Sequence, residues 1–153
     1  GGLTELEDGV KLYEGLTAPP VFWPILLTIQ GRANLLAGRV EAAAALFAEA
    51  DVAATAGDPV VIDLAIARGD VLLAGASPDT AGAEESYERA AGMARTFGLR
   101  MAELEAATRL AQLRAGTAGD EDSLRRLRGL LDAFTEGHST PQLTAAAALA
   151  RGH

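Results

Sequence analysis

Cysteine is absent from the chain, and histidine occurs only as His138 and His153. That removes thiol nucleophiles, thiolate metal sites and disulfide frameworks, and leaves too few imidazoles for a histidine-rich metal centre. Lysine occurs once, as Lys11, and 13 Lys+Arg against 21 Asp+Glu set a formal charge of -8 with a pI near 4.7. Nucleic acid is a poor partner for such a surface, because neutralising phosphates takes dense basic side chains. Apolar runs such as Val21–Ile29 stop well short of the roughly 18–20 residues of a membrane span, and no signal-like segment opens the sequence. A soluble, cytoplasmic protein without membrane contact is the expectation. Neither G-x-x-x-x-G-K-[ST] nor a dinucleotide fingerprint occurs, and no glycine elbow precedes a serine. No catalytic residue, cofactor site or metal site is therefore expected, and an enzyme is the least favoured reading.

What the chain does have is apolar, helix-forming sequence. Its 153 residues are 49% hydrophobic but only 5% aromatic, one domain's worth of chain with enough apolar content to bury a core unaided. Alanine is the commonest residue, in runs such as Ala42–Ala45 and Ala145–Ala148. It has the best helix propensity, and its small side chain lets helix axes approach closely. Larger apolar residues at helical spacing set the chain apart from a disordered one.

Apolar positions recur at three- and four-residue steps. The sets are Leu3, Leu6, Val10, Tyr13; Phe22, Ile25 or Leu26, Ile29, Ala33, Leu36; Val40, Ala44, Phe47, Ala50 or Asp51, Ala54; and Val61, Leu64 or Ala65, Arg68, Leu72. They continue as Ala83, Tyr87, Ala90, Ala94, Phe97; Leu104, Ala107, Leu110 or Ala111; and Leu124, Leu127, Leu131, Phe134. Each set is one stripe on a helix, and nothing alternates as a strand does. Thr4 and Glu7 have capping-box spacing, while Asp58-Pro59, Ser77-Pro78 and Thr140-Pro141 put a capping side chain before a first-turn proline. Gly38, Gly57, Gly75, Gly98, Gly116 and Gly137 follow the stripes, where a left-handed C-cap suits glycine. Eight helices are predicted, near 3–16, 20–37, 40–55, 59–75, 80–97, 99–115, 121–136 and 141–150. Links this short make consecutive helices antiparallel, so the expected architecture is all-α, a single domain of helical hairpins over 1–153.

The hairpins echo one another. Gly31 is followed by Ala43, Phe47 and Ala50, and Gly69 by Ala83, Tyr87 and Ala90, with one spacing inside both sets; a repeat of roughly 34–40 residues is implied. These residues resemble the tetratricopeptide repeat, in which a small residue on the first helix admits the second, an aromatic fills the gap between repeats, and small residues flank it. In the third pair, near 99–136, Ala107 takes the glycine place and Leu127 the aromatic one. The stretch Phe134-Thr135-Glu136-Gly137-His138-Ser139-Thr140-Pro141-Gln142-Leu143 with its alanine-rich helix is similar to the closing segment of large bacterial signalling proteins. So are Arg68-Gly69-Asp70-Val71-Leu72-Leu73 and Glu105-Ala106-Ala107-Thr108-Arg109-Leu110-Ala111. Those proteins carry an adenylate or guanylate cyclase or a transcriptional-activator module, a central ATPase and a C-terminal tetratricopeptide array. The resemblance implies a right-handed superhelical array that is a piece of something larger, with Gly1-Gly2 a scar of its excision. It implies a non-catalytic interaction or regulatory module whose partner is a protein, a peptide or another domain of the same polypeptide. In the repeat register, Thr28, Arg32, Asp63, Asp70, Thr108 and Gln112 face the binding groove. A structural array, forming a homodimer through exposed ends, is the alternative.

Other clusters read as structure. Asp120-Glu121-Asp122 has the look of a divalent-cation site but sits where a helix N-terminus favours negative charge. Arg125, Arg126 and Arg128 read as a solvated face. Glu84, Glu85 and Glu88 lie within about one turn on an exposed surface and so cannot oppose one another across a cleft. His138 reads as a loop residue between the last two helices. Phe22 and Trp23 either anchor a partner or close the junction between the first helix and the first full hairpin, the second being favoured.

Overall fold

The computed structural model describes residues 2–12, 21–55, 57–136 and 139–151, and among them there is no strand. The described residues form eight helices: α1 (Gly2–Lys11), α2 (Trp23–Leu36), α3 (Val40–Ala53), α4 (Val60–Ala74), α5 (Thr80–Phe97), α6 (Arg100–Arg114), α7 (Asp120–Asp132) and α8 (Pro141–Ala150). The all-α expectation holds, and α5 and α8 begin and end where periodicity and punctuation place them.

Three ends differ. Leu12 already lies in a turn after α1, and residues 13–16 of the predicted helix fall outside the described residues. Thr4 is inside α1 and so is no N-cap; Glu7 instead accepts a hydrogen bond from Arg39 Nη2 at 3.0 Å. α2 starts at Trp23 with Pro24 in its first turn, later than expected. α7 stops at Asp132, because Ala133 N–H and Phe134 N–H close back on Leu130 O (3.2 Å) and Leu131 O (3.0 Å), the tight bonding that ends a helix.

The caps explain most of the links. Gly38 (φ +74°) and Gly98 (φ +69°) let the next amide reach back, Arg39 N to Asn34 O at 2.9 Å and Leu99 N to Ala94 O at 2.8 Å. This is the left-handed C-cap that a Cβ would strain. Gly57 and Gly116 are left-handed too. Gly75 is not: at φ -67°, ψ 165° it continues as extended chain. Gly137 and His138 lie outside the described residues. At N-termini, Thr140 Oγ1 accepts from Leu143 N–H and Asp58 Oδ1 accepts from Val60 N–H at 3.0 Å. Ser77-Pro78 precedes the first turn of α5, which opens only at Thr80.

By its internal contacts the chain divides into two compact units, 1–79 and 80–153. In the first, α2 packs on α1, α3 and α4, and α3 on α4. Its core holds Leu27, Ala43, Phe47, Ala50, Val60, Leu64 and Ala67, with Trp23, Leu35, Leu46, Ala54 and Val71 against it. Gly31 is the notch: a Cβ there would stand 2.7 Å from Phe47 Cδ1 and 2.9 Å from Cζ. The hydrogen of glycine thus admits a ring whose burial contributes about 1.5–3 kcal/mol.

That notch turns α2 away from its predicted orientation. The expected stripe faces outward, with Phe22, Ile25 and Ile29 about half exposed and Leu36 91% exposed, while Leu27, Thr28, Gly31 and Asn34 are buried. The close approach of Gly31 to Phe47 selects the buried face, whereas summed hydrophobicity favours the other. The α4 stripe is likewise rotated: Arg68 is exposed, and Val60, Leu64 and Ala67 enter the core in place of Val61, Arg68 and Leu72.

In the second unit α6 packs on α5, α7 and α8, and α7 on α8. Leu104, Ala107, Ala111, Leu127, Leu143, Ala146 and Ala150 form one core. Ala107 and Leu127, equated above with the repeat's small and aromatic positions, therefore share it. Ala83, Tyr87 and Ala90 of α5 are all buried.

Candidate functional site

Three polar constellations stand out, two in the first unit and one in the second. The first is on α2 and α4. Arg32 Nη2 donates to Asp63 Oδ1 at 3.4 Å, with side chains 35% and 49% exposed, so two residues predicted for one groove do meet. Arg32 shares its face of α2 with Ile25, Ile29 and Leu36, seven, three and four residues removed, which sets an ion pair among exposed apolar side chains. Asp70 is half-buried two turns further along α4. Thr28 is not part of that surface: it is 4% exposed, and its hydroxyl donates to Pro24 O at 2.7 Å. In the second unit Thr108 is half-buried and donates to Leu104 O at 2.7 Å, and Gln112 is exposed one turn on. Both hydroxyls satisfy the backbone within their own helix, the common fate of threonine in a helix interior.

On the other side of α2 a cleft of about 490 Å³ opens between α1, α2 and α3, within the usual range for ligand pockets. Val10 and Leu27, both buried, and Leu46 form its apolar part; Glu7, Lys11, Gln30, Asn34, Arg39 and Glu49 supply polar groups. Trp23 borders it, half-buried, with Nε1 donating to Glu49 Oε1 at 3.4 Å. This bond joins α2 to α3 and places the ring at the edge of the core, so Trp23 serves the hairpin itself; Phe22 beside it is 45% exposed. Arg39 is tied to Glu7 at 3.0 Å and Lys11 to Asp8 at 3.1 Å. Asn34 Nδ2 donates to Gln30 O at 2.9 Å, while Gln30 Oε1 is buried with no hydrogen-bond partner. An acceptor left so costs about 1–3 kcal/mol.

The third constellation corrects two readings made from the sequence. Glu84 and Glu88, one turn apart on α5, grip Arg114 of α6: Arg114 Nε donates to Glu84 Oε1 at 2.8 Å and Nη2 to Glu88 Oε1 at 2.9 Å. Arg114 Nη1 also donates to the buried Ser123 hydroxyl at 3.3 Å. Arg126 of α7 reaches Glu88 Oε2 at 3.2 Å, and the buried Glu103 accepts from Arg95 Nε at 2.9 Å. Glu84 and Glu88 are thus not merely surface charge, and within the arginine cluster Arg126 joins the network and Arg128 Nε donates to Ala150 O at 2.8 Å, whereas Arg125 keeps to a solvated face, paired at 2.7 Å with the likewise exposed Asp122. Desolvation works against the charge on Arg114, yet the hydrogen bonds it donates to Glu84 and Glu88, with their negative charges, hold it above the ordinary arginine value. The network binds three helices together and has its donors and acceptors turned on one another.

Asp120 and its neighbours occupy the first turn of α7, as expected, and Asp120 Oδ2 accepts from Gly116 N–H at 3.0 Å. Among the described residues no three His, Cys, Asp or Glu side chains gather as a metal would need, and no helix is long and apolar enough to cross a membrane.

Family models, curated proteins and solved structures were compared with the chain, and none matches.

Sequence reasoning missed Gln30 and Glu49 at the cleft and Arg114 in the network. The partners are 26 to 38 residues apart on separate helices. Only the i, i+4 spacing of Glu84 and Glu88, which aligns both carboxylates on one helix face, hinted at a shared cation.

Proposed function

We propose that the chain is a non-catalytic protein-interaction module of tetratricopeptide type. It would regulate a bacterial ATPase-linked signalling protein, a cyclase or a transcriptional regulator, in the cytoplasm. The observation that carries the reading is the outward face of α2, where Ile25 and Ile29 are half exposed and Leu36 is 91% exposed, beside the Arg32–Asp63 pair. A helix that turns an apolar stripe to water while burying its other face offers a docking surface for a segment with complementary apolar and charged groups. The Gly31–Phe47 notch supports the repeat type, and the right-handed superhelical arrangement of hairpins is proposed with it. Binding would act on an output domain only through different contacts in its two states. Selection of a random peptide library on the immobilised chain is expected to enrich ligands that lose at least tenfold in affinity on Ile29→Glu and on Arg32→Glu. Enrichment indifferent to both changes would reject the surface.

The same stripe favours a second reading, a homodimer that buries it. Sedimentation velocity over a hundredfold concentration range separates the two. A dimer that dissociates on Leu36→Glu supports self-association, and a monomer throughout removes it.

A further inference from the structure

We infer that the cleft between α1, α2 and α3 binds an organic cation on a short apolar stem, a guanidinium or primary ammonium group such as an arginine or lysine side chain carries. The inference rests on the side of α2 opposite the docking stripe, since Gln30 and Arg32 are two residues, or roughly 200°, apart around the helix; it stands or falls independently of the reading above.

The balance of donors and acceptors points to this ligand. Of the two carboxylates lining the cleft, Glu7 is neutralised by Arg39 at 3.0 Å. Glu49 accepts from the neutral indole of Trp23 at 3.4 Å, and among the described residues no arginine or lysine is paired with it. Gln30, in the same lining, has its Oε1 buried and short of a donor, and a small rotation of the amide toward the cleft is what would bring that oxygen to a ligand. The cations at the cleft, Lys11 and Arg39, are each committed to a carboxylate. What the lining lacks is therefore positive charge and N–H groups, and a guanidinium or ammonium supplies both. Trp23 adds an aromatic ring, the preferred surface for such a cation. Val10, Leu27 and Leu46 receive the alkyl stem. A volume of about 490 Å³ accommodates the group with its stem, and a net charge of -8 draws cations toward the chain and anions away. An anionic ligand would meet Glu49 with like charge, and a neutral one would leave that charge unbalanced.

Trp23 is the sole tryptophan, so its emission reads the cleft directly. The intact chain is titrated at fixed ionic strength with n-butylguanidinium, with its neutral counterpart n-butylurea, and with the blocked tripeptide acetyl-Ala-Arg-Ala-amide. A saturable change with butylguanidinium, at least tenfold weaker for butylurea and about tenfold weaker in Glu49→Gln, is expected. A further gain for the tripeptide assigns the cation to a peptide, and equal binding of the two assigns it to a free small molecule. The side-chain amide resonances of Gln30 should shift with the same midpoint, a readout that does not depend on the indole. Glu49 is exposed, so Glu49→Gln should leave the circular dichroism spectrum unchanged. No saturable response to either cation, equal affinity for butylurea, or indifference to Glu49→Gln would overturn the inference.

Discussion

At Gly31 a single hydrogen decides how two helices meet. Replacing it with a methyl gains about 0.8–1.0 kcal/mol of helix propensity. The new carbon, however, would overlap the Phe47 ring, which is itself only 7% exposed within the core. Overpacking of this kind costs about 1–3 kcal/mol, so after the propensity gain Gly31→Ala is expected to destabilise the fold by up to about 2 kcal/mol in urea unfolding. Gly92 and Gly129 sit on helices with nothing within 4 Å of a Cβ added there. Gly92→Ala and Gly129→Ala should therefore raise stability by about 0.5–1 kcal/mol. Opposite signs for the buried and the open glycines are the signature of a closed notch; a common sign would mean that Phe47 yields. Residue spacing alone picked out Gly31 and Phe47, because a small residue and an aromatic at a fixed interval are visible in one dimension. Gln30 and Glu49 left no such trace, since their importance comes from a cleft that exists only once α1, α2 and α3 are assembled.

Among elements, the join of α5, α6 and α7 depends on charge as well as on apolar packing. Arg114 holds Glu84 and Glu88 with its side chain 24% exposed, whereas the Arg125–Asp122 pair is 68% and 77% exposed. Removing one member of a partly buried network strands the others, so Arg114→Gln should cost about 1–3 kcal/mol. Arg125→Gln should stay within about 0.5 kcal/mol. Chemical denaturation of the two variants tests the contrast, and equal effects would mean that water already screens the Arg114 network. Because the folded value of Arg114 is raised, its contribution is complete below the unfolded value. It is lost only as pH rises through the folded one, far above the neutral range. Stability changes between pH 6 and 9 are accordingly not expected from this arginine. Helix existence was readable because periodicity, prolines and glycines agreed. The facing of α2 and α4 was not, because α2 carries apolar residues on two sides and only contact with α3 chooses between them.

For the whole molecule, the excess of acidic groups sets behaviour in solution. Solubility is expected to reach its minimum near pH 4.7, where the net charge vanishes and repulsion between copies is lost. Light scattering across pH 4–8 measures this, and a minimum far from that value would show that patches rather than net charge govern association. Local chemistry, which follows from neighbours along the chain, told where the described helices form, their turns, the lack of cysteine and the sign of the net charge. Assembly in three dimensions chose which side of α2 meets water, led Arg114 to two glutamates, and opened the cleft beside Trp23. Helix formation is governed by groups within a few residues of one another, so a string of letters records it. The choice of buried face and the pairing of distant charges depend on shape and distance between segments, which arise only when the helices pack.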